Sequence, residues 1–231
     1  MIRRHDFNTR WWGRPVGIVD DPGFFDLPAA ERERQLAPFS WAEFKAPLAP
    51  DLDRGEILAA GFVQADVQIP FRIGLSGIED TASLEGLSAR SADEAPFDIP
   101  DGLPATFRSE RFFCLPGVTE AKINERYRLW GQRLIEEDPT SCLQVHQGQA
   151  LQGWFLSSRR GRAIELSLAM LSRHAVVSGA LLYHKALREY ARRGAQVGSA
   201  GFSVSNSAVL NIYAKLGARF LAPIGIWLWN R

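Results

Sequence analysis

Cysteine is scarce in this chain: two in 231 residues, Cys114 and Cys142. Two thiols with no Cys-x-x-Cys spacing exclude a disulfide framework and a cysteine zinc site. Histidine is scarce too. The four (His5, His146, His174, His184) show no ligand spacing, so no metal is expected. A charge of one sign is also missing. The 27 Lys and Arg against 26 Asp and Glu leave a formal net charge of +1, which removes the electrostatic case for nucleic acid or an anionic membrane surface. No apolar run approaches the roughly 20 residues of a membrane span. The opening residues, Met-Ile-Arg-Arg-His-Asp, lack the apolar stretch of a signal peptide. The expected setting is therefore a reducing cytoplasm.

What is present suits a folded enzyme or binding protein. Hydrophobic residues make up 46% and charged residues 23%, the balance of an ordinary globular chain of one large or two small domains. Seven tryptophans and 14 phenylalanines can fill a core or line a cleft, and core burial is the default.

Trp11 to Val19 reads as a strand entered through a turn at Gly13 and Pro15. A short helix over 28–37, a strand from Trp41 to Ala46 and a helix over 51–60 closed by Gly61 follow. A strand from Val63 to Leu75 is interrupted at Pro70, which suggests an edge or bulge. Residues 76–105 are small, acidic and Pro-containing, and read as an irregular connection and domain boundary. The second half is more regular. Thr119 caps a helix to about Glu137, on which Ile123, Tyr127, Trp130 and Leu134 recur at helical spacing. Strands Cys142–His146, Ala150–Ser157 and Ala163–Leu171 are joined by Gly-containing turns. A helix from Gly179 to Arg193, a strand from Val197 to Val204, a helix from Asn206 to Leu216 and a last strand from Ile224 to Trp229 complete this half.

The order helix, three antiparallel strands, helix, strand, helix, strand, with Asn206, Tyr213 and Gly217 in the final helix, resembles the GNAT superfamily of N-acetyltransferases. The resemblance implies an α/β fold of the α+β type: a mixed, mostly antiparallel, twisted central sheet flanked by helices. It also implies acetyl-CoA as co-substrate and direct acetyl transfer to an amine. Tyr213 would then face the thiol as general acid, because a thiolate with a free pKa near 8.5 benefits from a proton donor. Val209, Ile212, Tyr213 and Leu216 also share one helical face, so a purely core role for Tyr213 stays open. Asn206 would contact the coenzyme as well as cap its helix. Ala218 stands where the family usually has phenylalanine.

In the family, the loop before the preceding helix reads Gln/Arg-x-x-Gly-x-Gly/Ala and holds a pyrophosphate on backbone N–H groups at a helix N-terminus. Here it runs Arg173, His174, Ala175, Val176, Val177, Ser178, Gly179, Ala180. Valine and serine replace small positions, and an ordinary strand-to-helix turn is the alternative. Backbone amides near Met170 and Leu171 would polarise the thioester. Glu165 is the candidate base for the amine; a solvated glutamate on a strand face is the other reading. His146 and His174 rank behind it.

Two N-terminal stretches, Asp6 to Val19 and Gly61 to Asp66, with Arg108 to Phe112, resemble the dTDP-fucosamine acetyltransferase group. That likeness implies a degenerate GNAT-like half on the acceptor side (1–105) before an acyl-CoA-binding domain (106–231). It also implies a nucleotide-linked amino sugar as acceptor. Trp11 and Trp12 would stack on base or sugar, and Arg108 and Arg111 would pair with phosphate. Core burial of a tryptophan and plain surface arginines are the alternatives. A homodimer is compatible with this reading. Two competitors remain: the same fold acting on a peptide, amino acid or other small amine, and a non-catalytic GNAT-like binding module.

Overall fold

The computed structural model describes residues 1–101 and 110–231. They form two compact units: one of residues 1–69, 110–118 and 222–231, the other of residues 70–101 and 119–221. The expected division at 105/106 lies outside the described residues.

Unit 1 begins with strand β1 (Ile2–Arg4), helix α1 (Asp6–Trp12) and strand β2 (Val16–Val19). The expected strand through Trp11 and Trp12 is thus corrected to a helix. The ring of His5 accepts the Asn8 N–H at 3.4 Å, Asp6 sits in the first turn, and Gly13 closes the helix at φ 79°. Aromatic residues favour strands, but burial overrides propensity here. Trp11 is 2% exposed, with ring centroids 6.5 Å from Trp41 and 5.3 Å from Phe112.

Helix α2 (Ala29–Leu36), strand β3 (Trp41–Pro47), helix α3 (Arg54–Ala59) and strand β4 (Val63–Gly74) follow as expected. β4 runs unbroken through Pro70, so the expected interruption is absent. The chain's last strand, β11 (Ile224–Asn230), pairs antiparallel with both β3 and the first part of β4. The expectation that it completes the second half is therefore corrected. Gly225 to Leu228 are all buried, as a strand covered on both faces requires. Trp227 joins Phe25, Phe44 and Phe62 in the core. Gly225 is obligatory beneath it: a Cβ there would lie 2.3 Å from the Trp227 ring.

Unit 2 carries the rest of β4, then strand β5 (Leu87–Ser91), helix α4 (Glu120–Glu137) and strands β6 (Cys142–Gln147), β7 (Ala150–Arg160) and β8 (Ala163–Leu171). Helix α5 (Gly179–Arg192), strand β9 (Val197–Ser203), helix α6 (Ser207–Lys215) and the two-residue strand β10 (Arg219–Phe220) complete it. The strand order is β4-β9-β8-β7-β6-β5, with β10 also beside β4. Only β8 and β9 are parallel among the pairings given for this unit. β5 lies in the stretch expected to be irregular. The core under α4 contains Leu134, Ile135, Cys142, Trp154, Leu156, Leu168 and Met170. Both cysteines are free, and burial pushes the Cys142 thiol up to about 12.

Candidate active site

The parallel strands β8 and β9 part company. They pair at only three rungs, Ala163 with Val197, Ile164 with Gly198 and Glu165 with Ser199. β8 then continues to Leu171 and β9 to Ser203 without further pairing. Each strand therefore presents backbone N–H and C=O groups to a widening gap. Which groups face it follows from the ladder on the other side of β8. Ser172 N–H donates to Gln152 O at 2.8 Å, and the register pairs Leu171 with Gly153 and Met170 with Trp154. Antiparallel alternation then gives Met170 and Leu168 ladder bonds to β7, and turns the N–H groups of Leu171, Ala169 and Ser167 toward the gap. Of the expected pair Met170 and Leu171, Leu171 supplies the gap-facing donor; the Met170 side chain is 2% exposed, in the core. Gly153 holds β7 close at this point, since a Cβ there would lie 2.3 Å from Met170 O.

The loop from β8 to α5 is partly satisfied from within. Gln152, fully buried on β7, accepts the N–H groups of Val176 (2.8 Å) and Val177 (3.2 Å) through its Oε1, and its Nε2 donates to Ala150 O. His174 N–H donates to Ser172 Oγ, and Ala175 N–H to Ser172 O. Ser178 is the N-cap of α5, its Oγ accepting Leu181 N–H at 3.4 Å. Gly179 and Ala180, the first two helical positions, have N–H groups with no acceptor inside the helix. These N–H groups, the positive helix end and the exposed Arg173 are what the loop offers an anion. Val176 is 79% exposed. No sequence signal marked Gln152, because its partners lie 24 and 25 residues away.

Tyr213 is 3% exposed. Its ring centroid lies 3.9 Å from that of Phe71, 5.3 Å from Tyr183 and 6.3 Å from Phe202, on which it stacks. Tyr183 in turn meets Phe155 of β7 edge-on at 5.0 Å. Aromatic side chains from β7, α5, α6 and β9 thus form one cluster around the two strands that part. Burial raises the Tyr213 phenol well above its ordinary pKa, with Tyr183 and Tyr190 adding to the shift; burial alone raises Tyr183. Asn206 caps α6, its Oδ1 accepting Val209 N–H at 3.2 Å. Glu165 is exposed at the last paired rung, with half-buried Ser167 and Ala169 next on its face of β8. His146 is half-buried on β6; burial, then Arg90, lower its pKa.

Of the acceptor candidates, Trp11, Trp12 and Arg111 lie in unit 1, and Arg108 falls outside the described residues. Trp11 is core. Trp12 is half-buried. Arg111, 11% exposed in its side chain, pairs with Glu43 at 2.9 Å and Glu110 at 3.5 Å, and Lys45 reaches Glu43 at 3.0 Å. Burial alone would push the Glu43 carboxyl up, but Arg111 and Lys45 outweigh it and hold the group at about 2. Among the described residues, no group of three or more His, Cys, Asp or Glu could hold a metal, and no helix is long and apolar enough to cross a membrane.

No family model and no curated protein matches this chain. Solved structures do. A GCN5-related N-acetyltransferase from Sphaerobacter thermophilus superposes with a TM-score of 0.61 at 12% identity, covering 99% of this chain and 76% of that one. A tandem GNAT protein from the clavulanic acid biosynthesis pathway gives 0.56 at 14% identity, covering 94% and 76%. The glucosamine N-acetyltransferase region of a fungal multi-domain β-N-acetylglucosaminidase gives 0.58 at 10% identity, covering 94% of this chain and 30% of that one. At these identities the likeness concerns fold alone, and the chain has the fold of the GCN5-related N-acetyltransferases.

Proposed function

We propose that unit 2 is an acetyl-CoA-dependent N-acyltransferase. The observation that carries this reading is the parting of β8 and β9, which leaves a strand edge able to receive an extended, amide-rich arm as a further strand would. Ala169 and Leu171 would donate to the arm and the thioester oxygen. Gly179 and Ala180, with Arg173, would hold the pyrophosphate end, beside Val176, Val177 and Ser178 of the same loop. Asn206 would contact the coenzyme from the N-terminus of α6. In the transfer, the amine nitrogen bonds to the acetyl carbon, the carbon–sulfur bond breaks, the amine loses a proton and the thiolate gains one. Glu165 would take the amine proton. Four residues of strand put it roughly 13 Å from Ala169, so the proton would travel through water. Tyr213 would supply the thiolate's proton; burial raises the pKa of its phenol, which favours the protonated form.

A small amine is the acceptor class. An amino sugar is the first to test, because the fungal neighbour is a glucosamine N-acetyltransferase region. A nucleotide-linked sugar is the narrower form. A panel of amino sugars, amino acids and peptides with radiolabelled acetyl-CoA tests this. Preferential labelling of amino sugars supports the narrower reading, and equal or lower labelling than peptides removes it. Tyr213→Phe is expected to lower turnover about 100-fold with acetyl-CoA affinity nearly unchanged; equal turnover would take Tyr213 out of the mechanism.

One observation favours a second reading, a GNAT-fold module without catalysis. Gln152 already occupies two N–H groups of the loop that an anion would use. Calorimetric titration with acetyl-CoA separates the readings, since the module predicts no heat at millimolar ligand.

A further inference from the structure

Unit 1 contains a cavity of 330 Å³ lined by Trp12, Trp41, Phe39, three prolines, Arg14 and Arg231, among others. Two features give it a chemical preference. First, the indole Nε1 atoms of Trp12 and Trp41 are both buried and both lack a hydrogen-bond partner. Trp41 is fully buried, and an unpaired donor in such a place costs free energy until an acceptor arrives. Second, the lining is cationic. Arg14 and Arg231 are among the lining residues, and no Asp or Glu is. A cavity lined by arginine, with buried donors and no acidic side chain, selects an anionic acceptor.

The remaining walls set the shape. Trp12 and Trp41 meet edge-on, with centroids 6.1 Å apart and planes at 88°, so a ligand can lie flat on one indole while touching the edge of the other. Phe39 and the proline rings supply further apolar surface. Ligand pockets run from about 300 to 1,000 Å³. This cavity is at the small end, with room for one or two rings rather than a coenzyme or a nucleotide-linked sugar.

We infer that unit 1 has a binding site for a small aromatic carboxylate, its ring against the tryptophans and its carboxylate on the Arg14 guanidinium and the buried indole N–H groups. The site is independent of the reading given to unit 2.

Benzoate and its neutral isostere benzamide, titrated calorimetrically into the full chain, test this. Benzoate is expected to bind and benzamide to bind at least about tenfold more weakly, since a charge-assisted bond is replaced by a neutral one. Arg14 is exposed, so Arg14→Gln leaves the core intact, and it is expected to weaken benzoate about tenfold. Trp12→Phe keeps a ring and removes one N–H, and a loss of several-fold is expected. The inference is overturned if benzoate gives no heat at about 20 mM, if benzamide binds as well as benzoate, or if Arg14→Gln binds within about twofold of the parent.

Discussion

Each unit contains a strand–helix–strand crossover, and the two treat the space between their strands in opposite ways. In unit 1 the crossover is β3-α3-β4. β11 pairs antiparallel with both strands, so β3 and β4 run parallel with a third strand filling the interval. In unit 2 the crossover is β8-α5-β9, and its parallel strands touch at three rungs before separating. Backbone polar groups need partners. The first interval satisfies them with the chain's own segment, and the second leaves them for water or a ligand. The difference supports the proposal that the ligand-binding edge lies in unit 2, while the corresponding place in unit 1 is filled by β11.

The largest effect is expected where the filled interval is emptied. Trp227→Ala removes a fully buried indole from the unit 1 core and should cost about 3–5 kcal/mol in chemical denaturation. A loss below 1 kcal/mol would mean that β11 does not hold this interval together.

Next is the acid limit of the same unit. The Glu43 carboxyl is held at about 2, below its unfolded value of 4.5. Its contribution, about 3 kcal/mol from that difference, is present above pH 4.5 and lost as pH falls toward 2. Denaturant midpoints of parent and Glu43→Gln should converge across that window; parallel curves would contradict the ion-pair assignment.

Leu171→Pro acts on the open interval. It deletes an N–H that faces the gap and no ladder bond to β7, so acetyl-CoA affinity should drop about tenfold or more with the unfolding midpoint nearly unchanged. An unchanged affinity would show that the edge is not used.

The smallest effect is at Gln152. Gln152→Leu frees the N–H groups of Val176 and Val177 at a stability cost of about 1–3 kcal/mol, and should tighten acetyl-CoA binding a few-fold. Weaker binding in calorimetry would mean that Gln152 supports the loop rather than competes for it.

Most elements of unit 2 were legible because their signals are local. Thr119 and Asn206 are caps whose side chains accept the N–H three residues on. Gly148 and Gly161 mark the hairpin turns, with φ of 58° and 62°. The regular spacing of Ile123, Tyr127 and Leu134 is that of α4. β5 escaped because it is short and polar: only Leu87 and Ser91 of its five residues are buried. α1 escaped because two tryptophans near Gly and Pro carry a strand propensity that packing on Trp41 and Phe112 overrides. The run Ile-Gly-Ile-Trp-Leu-Trp did carry a signal for β11, since a strand apolar on both faces is a central one. Its partners were invisible, because β3 and β4 lie more than 150 positions earlier. The candidate site divided the same way. Tyr213, Asn206 and the loop were recognisable as a pattern, whereas the separation of β8 from β9 and the Gln152 contacts depend on register and on partners distant in sequence.

Isothermal titration of the full chain with acetyl-CoA measures the contrast between the two intervals most directly. The account predicts saturable binding at one site per chain, weakened at least about tenfold in Leu171→Pro. No heat at millimolar acetyl-CoA, or two sites per chain, would contradict it.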